Sequence, residues 1–287
     1  MKYQRVRFYG IAIYLLIALC GLRMHSPEPT HDTWIIAHRG GGVARVENSI
    51  EGISYAVEQG CDACEVDVQR TMDGQYIIHH DKTFSRVAKL DHSPGEMTLP
   101  EIKTLRLSGG TAPCCVPTLE EALDAAQGNI PLLIELKGAT ADQAMADDVV
   151  DMLMERQMLG QSMVIAFDYD LVRYIERKYP AVMTGYLCTK TPSAPAYLDC
   201  DCLCLKESAL TDQVIREIHL TGKKVLVWTV NKGSDLRRFL AGEVDGIITD
   251  EVALAVGMRD TIRLAERTGE SSIHNGGNNG FDMDKDL

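Results

Sequence analysis

The sequence predicts an α/β protein whose fold is a (β/α)8 barrel, the TIM barrel, with a small insertion after the second strand region. Short apolar runs of strand length alternate with helical patterns along most of the 287-residue chain, and this alternation indicates parallel strands. About eight such units occur, the number that closes a barrel. The runs are apolar on both faces, as a sheet covered on both sides requires.

The predicted strands and helices follow one another in a regular order. The strands cover residues 34–37, 64–68, 132–136, 163–167, 182–187, 202–205, 225–230 and 246–249. The helices cover residues 47–59, 119–126, 142–157, 170–178, 211–220, 234–240 and 252–266, with a weak helix or loop near Pro195. Asp73-Gly74 predicts a turn, after which residues 75–79 pair back on the second strand. An open doubly wound sheet is disfavoured, because no Gly-x-Gly-x-x-Gly follows the first strand.

The N-terminal segment differs from the rest of the chain. Lys2, Arg5 and Arg7 precede an uncharged run at residues 8–22, so residues 1–23 are predicted to be a signal peptide or a signal anchor. The basic flank predicts an extracytoplasmic protein, either secreted or membrane-anchored through its N-terminus. Membrane contact through residues 8–22 is expected if the segment is not cleaved.

The remaining domain boundaries follow from composition. We predict a linker at residues 24–32 and the barrel at residues 33–267. The insertion, at about residues 82–117, is the part of the barrel sequence that lacks strong periodicity. Residues 268–287 are rich in Gly, Asn, Asp and Ser and are predicted to be a disordered tail.

Charge and cysteine spacing exclude two classes of function. The formal net charge of −12 argues against nucleic-acid binding, which relies on clustered Lys and Arg. Cys61-x-x-Cys64 has no second pair with ligand spacing, so a zinc site is not predicted. Cys200, Cys202 and Cys204 alternate as in a strand, so two or three share one face. We interpret these cysteines as buried small hydrophobic residues.

Carboxylates lie on two neighbouring strands, near the ends where barrel enzymes carry their catalytic groups. Glu65 and Asp67 are two residues apart, so both side chains face the same way, and Glu135 lies on the next strand. Three such carboxylates repel one another, and a divalent cation would remove that repulsion. Oxygen ligands favour Mg²⁺ or Ca²⁺, with Mn²⁺ as a further candidate. The alternative is a set of salt bridges with Arg39 and Lys137.

Two histidines follow neighbouring strands at the same end of the predicted barrel. Hydrolysis of a phosphodiester needs a base for the attacking oxygen and an acid for the leaving alkoxide. His38 and His80 could divide these roles, since histidine titrates near neutral pH. Arg39 and Lys137 could bind the nonbridging oxygens of the phosphate. His79 should face the opposite way and is left out of the site.

An ordered series of segments between residues 33 and 260 resembles the glycerophosphodiester phosphodiesterase family, one of the phospholipase C-like phosphodiesterase barrels. The matching segments are His38-Arg39-Gly40, Glu47-Asn48-Ser49, Gly60-Cys61-Asp62, Glu65-Val66-Asp67-Val68, Asp73-Gly74, His80-Asp81, Pro117 to Glu121, Ile134 to Lys137, Val227 to Asn231 and Val244 to Asp250. The chain departs from the family pattern at Val46, Ser49 and Glu251, where proline, threonine and proline are usual. These departures remove no reacting group.

The resemblance implies roles for individual residues. His38 and His80 would be the acid/base pair. Glu65, Asp67 and Glu135 would bind one divalent cation. The implied substrate-binding residues are Arg39, Lys137, Glu47 and Trp228. Glu47, together with Asn48, would hold the loop after the first strand or touch the ligand, and Trp228 would line the pocket or belong to the core.

The predicted function is metal-dependent hydrolysis of a glycerophosphodiester to glycerol phosphate and an alcohol. The partner is a small-molecule phosphodiester, and the nucleophile is either water or a glycerol hydroxyl of the substrate. A second interpretation is a phospholipase D-like enzyme that acts on a lysophospholipid or sphingolipid. A third is a noncatalytic phosphate- or lipid-binding barrel at the membrane, which predicts the loss of a reacting group.

Overall fold

The computed structural model describes residues 33–108 and 114–268 of the chain. Nine strands lie in this part: β1 (Trp34–Ala37), β2 (Ala63–Arg70), β3 (Tyr76–Ile78), β4 (Leu132–Leu136), β5 (Ser162–Ala166), β6 (Met183–Cys188), β7 (Cys202–Lys206), β8 (Lys224–Trp228) and β9 (Gly246–Thr249). β1 pairs in parallel with both β2 and β9, so eight parallel strands close into a barrel. β3 pairs antiparallel with β2 as a hairpin. The predicted (β/α)8 barrel is confirmed.

Helices connect most of the barrel strands. The described helices are α1 (Ile50–Glu58), α2 (Ser85–Ala88), α3 (Leu99–Ile102), α4 (Leu119–Ala126), α5 (Gln143–Glu155), α6 (Tyr169–Lys178), α7 (Asp212–His219), α8 (Gly233–Leu240) and α9 (Val252–Thr268). A single 3-10 turn at Pro195–Tyr197 connects β6 to β7, where the sequence predicts a weak helix or loop. A capping box is present at the start of α4, since Thr118 Oγ1 accepts a hydrogen bond from the Glu121 N–H at 3.1 Å and Glu121 Oε2 accepts one from the Thr118 N–H at 2.9 Å.

The first helix begins three residues later than predicted. Asn48 has a φ of +49°, outside the helical region, and Ser49 is extended and caps α1 by accepting a hydrogen bond from the Gly52 N–H. Glu47 and Asn48 therefore belong to the loop that follows the carboxyl end of β1. This boundary places both side chains beside the site described below.

Two layers of apolar side chains form the core. An outer layer lies between the strands and the helices, and an inner layer fills the barrel with residues such as Ile36, Leu133 and Leu226. Cys202 and Cys204 belong to the inner layer, with their sulfur atoms 3.9 Å apart. The cysteines of the described residues are free thiols, in agreement with the prediction of buried small hydrophobic residues for the Cys200–Cys204 segment.

The insertion has a small core of its own. Phe84 and Val87 from the α2 region pack with Ile102 of α3 and with Leu107 and Val116, and all five are nearly inaccessible to solvent. This cluster also contains Val46 of the loop after β1 and Ile77 of β3. The insertion, which lacks strong periodicity in its sequence, thus carries two short helices, and its core packs against the loop that carries Glu47.

Other predictions fall outside the described residues. These are the signal peptide or anchor at residues 1–23, the linker at residues 24–32 and the tail beyond residue 268. Within the described ranges, none of the helices is long and apolar enough to cross a membrane.

Candidate active site

A pocket opens at the carboxyl end of the barrel strands, as expected for this fold. The empty space in this pocket, including the part open to solvent, is about 500 Å³. Its lining residues are His38, Arg39, Glu65, His80, Glu135, Lys137, Ile165, Phe167, Leu187, Trp228, Thr229 and Ile248. The groups that can ionise come from β1, the β2–β3 hairpin and β4, whereas β5, β6, β8 and β9 contribute mainly apolar side chains.

Three carboxylates meet at the base of this pocket. Glu65 and Asp67 of β2 and Glu135 of β4 are buried, and each offers an oxygen within 4.8 Å of the others. Asp67 Oδ2 accepts a hydrogen bond from Asn48 Nδ2 at 2.8 Å, and Glu65 Oε2 accepts one from the Arg39 N–H at 2.8 Å. Lys137 Nζ donates to Glu135 Oε1 at 2.8 Å and lies 3.1 Å from Asp67 Oδ1, but not in line for a hydrogen bond.

The electrostatics of this cluster fit a divalent cation. Glu65 Oε1 and Asp67 Oδ1 are buried and find no hydrogen-bond donor within the described ranges, an unfavourable state for an isolated carboxylate. Burial and the neighbouring carboxylates raise the pKa of Glu65 well above its usual value and that of Glu135 to about 7. Burial opposes ionisation of Asp67 too, but Lys137, His80, Asn48 and Arg39 together outweigh it and hold the pKa of Asp67 below its usual value. The two oxygens without a hydrogen-bond donor and the excess of negative charge suit an oxygen-binding cation.

His38 is held by a carboxylate from the far end of the chain. Its Nδ1 lies 2.7 Å from Asp250 Oδ1, a contact between residues 212 positions apart that the β1–β9 pairing brings together. Asp250 Oδ2 also accepts from Asn231 Nδ2 at 2.6 Å. A carboxylate only accepts hydrogen bonds, so Nδ1 carries the proton, and Nε2 is left to exchange a proton with a ligand.

His80 is held in the same way by its sequence neighbour. His80 Nδ1 lies 2.8 Å from Asp81 Oδ1, and Asp81 Oδ2 accepts from Arg86 Nε at 2.7 Å. Burial lowers the pKa of His80 below its usual value, although Asp67 and Asp81 oppose this effect. His80 is therefore mainly neutral at pH 7, with Nε2 able to accept a proton.

The phosphate-binding candidates Arg39 and Lys137 line the same pocket as the two histidines. Arg39 has a φ of +51°, and its backbone N–H is fixed on Glu65. Glu47, which was predicted to hold the loop after the first strand or to touch the ligand, is not among the described residues that line the pocket, and its contact with substrate stays a prediction. Both of its carboxylate oxygens accept from Arg86 at 2.6 Å, and one also accepts from Arg39 NH1 at 3.4 Å. Glu47 thus contacts Arg39 rather than the pocket.

The opposite wall of the pocket is aromatic and aliphatic. The rings of Phe167 and Trp228 pack edge to face, with centroids 5.6 Å apart. Trp228 Nε1 donates to the Cys204 carbonyl oxygen at 2.9 Å, which fixes the indole ring. Trp228 therefore both lines the pocket and packs on the inner core, so the two interpretations of this residue are not exclusive.

Comparison with known proteins agrees with this geometry. Residues 38–254 match the model of the glycerophosphoryl diester phosphodiesterase family. The chain belongs to this family. A glycerophosphodiester phosphodiesterase of Caldanaerobacter subterraneus subsp. tengcongensis is 28% identical over 229 residues, which cover 76% of this chain and 94% of the relative. A solved Oleispira antarctica phosphodiesterase, in complex with the product sn-glycerol-3-phosphate, has a TM-score of 0.71 and 26% identity and covers 79% of this chain and 96% of its own.

A shorter match has a different activity in its name. Lysophospholipase D of Mus musculus is 32% identical over 94 residues, which cover 31% of this chain and 28% of the relative. The resemblance to glycerophosphodiester phosphodiesterases recognised in the sequence is confirmed at the level of the family.

In this member of the family, the structure brings most of the predicted site residues around one pocket. The pocket-lining residues among them are His38, Arg39, Glu65, His80, Glu135, Lys137 and Trp228. Asp67 lies just below, fully buried.

Sequence reasoning missed the residues that hold these groups. Asp250 and Asp81 belong to segments that match the family, but the sequence assigned neither a role, although each lies where a barrel carries functional residues. Phe167 directly follows β5 and was not considered. Arg86 gave no signal, because it lies in the segment without periodicity.

Proposed function

We propose that the protein hydrolyses a glycerophosphodiester to glycerol phosphate and an alcohol at this pocket, with a divalent cation. The observation that carries the proposal is the cluster of Glu65, Asp67 and Glu135 beside two carboxylate-bound histidines. A noncatalytic binding barrel would not need both histidines with a free Nε2. The family and the product complex of the Oleispira relative support the substrate class.

The carboxylates of Glu65, Asp67 and Glu135 would hold the cation, which is Mg²⁺ or Ca²⁺ by its oxygen ligands, with Mn²⁺ as the next candidate. When bound, such a cation neutralises the phosphate and the charge that develops on it. Arg39 and Lys137 face the same space and would contact the nonbridging phosphate oxygens. The backbone N–H of Arg39 donates a hydrogen bond to Glu65. This bond holds the arginine that would contact phosphate in a fixed position relative to a carboxylate that would bind the cation.

His38 and His80 divide the proton transfers in this scheme. One Nε2 removes the proton from the attacking oxygen, and the other donates a proton to the leaving alkoxide. Asp250 and Asp81 stabilise the protonated rings and keep Nε2 directed away from their own carboxylates. The attacking oxygen comes from water or from a glycerol hydroxyl, in which case a cyclic phosphate forms first. A substrate without the glycerol 2-hydroxyl separates the two routes, because it is cleaved only when water attacks.

A lysophospholipase D activity is the second candidate. Phe167, Leu187 and Trp228 form an apolar wall in the pocket, and the mouse relative bears that name. If this candidate holds, lysophospholipids are cleaved faster than the corresponding glycerophosphodiesters.

The assay measures glycerol phosphate release from a panel of glycerophosphodiesters. The protein is treated with EDTA and then supplied with Mg²⁺, Ca²⁺ or Mn²⁺. We expect restored activity in the wild type and none in His38→Ala or His80→Ala, while His92→Ala, an exposed histidine of the insertion, retains it. Activity that survives EDTA and both site substitutions would mean that the reaction occurs elsewhere.

We also propose, from the sequence alone, an extracytoplasmic location through the leader at residues 1–23. Mass measurement of the mature protein, with fractionation of the cells, tests it. A full-length chain in the cytosol would contradict the proposal.

A further inference from the structure

Arg86 does not line the pocket, but it makes three charged hydrogen bonds to carboxylates that contact pocket residues. It lies on α2 of the insertion, and its NH1 and NH2 donate to the two carboxylate oxygens of Glu47, each at 2.6 Å. Its Nε donates to Asp81 Oδ2 at 2.7 Å. All three nitrogens of the guanidinium group are thus used, and a planar fork is what permits this pattern.

Each carboxylate bound by Arg86 also binds a residue of the pocket. Asp81 Oδ1 lies 2.8 Å from His80 Nδ1, and Glu47 Oε1 accepts from Arg39 NH1 at 3.4 Å. A continuous chain of contacts therefore runs from the acid/base histidine, through Asp81, Arg86 and Glu47, to the arginine that faces the phosphate.

We propose that Arg86 is a positioning residue that sets the geometry of His80 and Arg39 together, and so joins the proton-transfer group to the phosphate-binding group. The proposal rests on the function proposed above. Arg86 itself touches neither substrate nor cation in this scheme, and acts through Asp81 and Glu47.

The charges explain why this position needs a guanidinium group. Glu47 and Asp81 are close enough to raise each other's energy when both are ionised, since Asp81 acts against the ionisation of Glu47. Burial raises the pKa of Asp81, but the hydrogen bonds from Arg86 and His80 outweigh it and lower this pKa to about 2. Without Arg86, the two carboxylates would lose the cation they share, and their repulsion would move the groups they hold.

The fold holds Arg86 in place. Its neighbour Val87 and Phe84 just before α2 are buried in the core of the insertion, together with Val46, which directly precedes Glu47. Both ends of the Arg86–Glu47 contact are thus anchored in one apolar cluster. This anchoring gives the insertion a role in the site, even though none of its described residues lines the pocket. His80 and Asp81 precede the insertion.

The state of His80 reports on this arrangement independently of catalysis. The charged groups that face His80 are Asp67 of β2, Lys137 after β4, Arg39 after β1 and Asp81 beside it. Without Arg86, the negative charge of Asp81 is balanced by His80 alone. The pKa of His80 should therefore rise. An opposite charge nearby changes a pKa by about 1 or more.

The test compares Arg86→Ala and Arg86→Lys with Arg177→Ala in the full chain. Arg177 is a matched control, because it also makes two hydrogen bonds to one carboxylate, from Nε at 3.2 Å and NH2 at 2.7 Å to Asp199 Oδ2, on a surface away from the pocket. NMR titration of the His80 ring, assigned by loss of its signal in His80→Gln, gives its pKa. Steady-state kinetics and thermal melts complete the comparison.

We expect Arg86→Ala to raise the pKa of His80 by about 1 and to lower kcat/KM on the order of 10- to 100-fold, through both kcat and KM. Arg86→Lys should keep the pKa of His80 near the wild-type value, because the charge remains. It should restore kcat/KM only in part, because an ammonium group cannot bridge both carboxylates. Arg177→Ala should change neither quantity.

Two results would overturn the proposal. One is a pKa of His80 and a kcat/KM in Arg86→Ala that change no more than in Arg177→Ala. The other is a loss of activity that accompanies a large fall in Tm with the pKa of His80 unchanged, which would make Arg86 merely structural. If the wild type cleaves no glycerophosphodiester, the proposed function fails, and the pKa of His80 still decides whether Arg86 controls this histidine.

Discussion

Replacement of Glu65 by glutamine tests the cation site separately from the rest of the active site. Glutamine keeps the size of the side chain and can still accept the hydrogen bond from the Arg39 N–H at 2.8 Å. It removes the charge of a carboxyl group that is only 2% exposed and whose Oε1 has no donor. We expect the variant to fold, to lose activity and to lose the stabilisation that the cation gives.

The size of the effect follows from linkage. A cation at 100 times its Kd stabilises the native state by about 2.7 kcal/mol, and for a domain of this size each kcal/mol raises Tm by about 2–4 °C. The wild type should therefore gain about 5–10 °C in Tm on addition of the cation, and Glu65→Gln should gain almost nothing.

In the absence of a cation, the order of thermal stability should be reversed, with Glu65→Gln more stable than the wild type at pH 8. The pKa of Glu65 is raised in the folded state, so the folded wild type retains a proton that the unfolded chain releases above its ordinary pKa. Stability of the metal-free wild type therefore falls as pH rises from that ordinary value towards the folded one. Glutamine does not titrate, so Glu65→Gln should melt at the same temperature as the wild type at pH 5 and above it at pH 8.

Differential scanning calorimetry in EDTA, and with each of Mg²⁺, Ca²⁺ and Mn²⁺, measures these quantities. Glu155→Gln, on the exposed end of α5, is the matched control and should respond to cations as the wild type does. An equal gain in Tm for Glu65→Gln and the wild type would refute the assignment of Glu65 as a ligand. A wild type that responds to none of the three cations would refute the cation site altogether.

Three further substitutions test other parts of the site. Asp250→Asn should lower kcat by about 10²- to 10⁴-fold with little change in Tm, because one amide cannot accept hydrogen bonds from both His38 and Asn231; an unchanged kcat would contradict the role of Asp250. Gly42→Ala should lower Tm by several degrees more than Gly128→Ala, because a Cβ at Gly42 would lie 2.1 Å from the Asp250 carbonyl oxygen and one at Gly128 meets nothing within 4 Å. Phe167→Ala should raise KM and keep the cation-dependent gain in Tm; loss of that gain would show that the two halves of the pocket are not independent.

The fold was predictable because the barrel repeats one local pattern. β4 has the bounds predicted for the third strand, residues 132–136, since all five residues are buried and Pro131 precedes them. The end of a strand was harder to predict than its existence. β2 runs to Arg70, two residues past the apolar run, because it pairs with β3 as well as with its barrel neighbours. The hairpin was predicted, but the polar residues Gln69 and Arg70 that it adds to β2 do not belong to the apolar run from which the strand was predicted.

The site was predictable for residues on a strand or within two positions of a strand end, such as Glu65 and His38, and not for residues deeper in a loop or in the insertion. Period 2 placed Glu65 and Asp67 on one face, and barrel topology placed Glu135 beside them. The left-handed backbone of Asn48, which ends the loop before α1, had no sequence signal. Arg86 was also invisible, since its partners depend on how the insertion folds over the hairpin.

The mouth of the barrel divides its two tasks between different strands. Charged and proton-transferring groups come from β1, β2 and β4 and from the hairpin, and they are tied to one another by hydrogen bonds such as that between Arg39 and Glu65. The wall formed by β5, β6, β8 and β9 is mainly apolar, so it can contact the alcohol group without disturbing the charges. Because an apolar contact depends on shape rather than on a fixed partner, this wall tolerates substitution better than the ionic half does. Specificity for the alcohol is therefore expected to reside at Phe167, Leu187 and Trp228, and the chemical step in the opposite half.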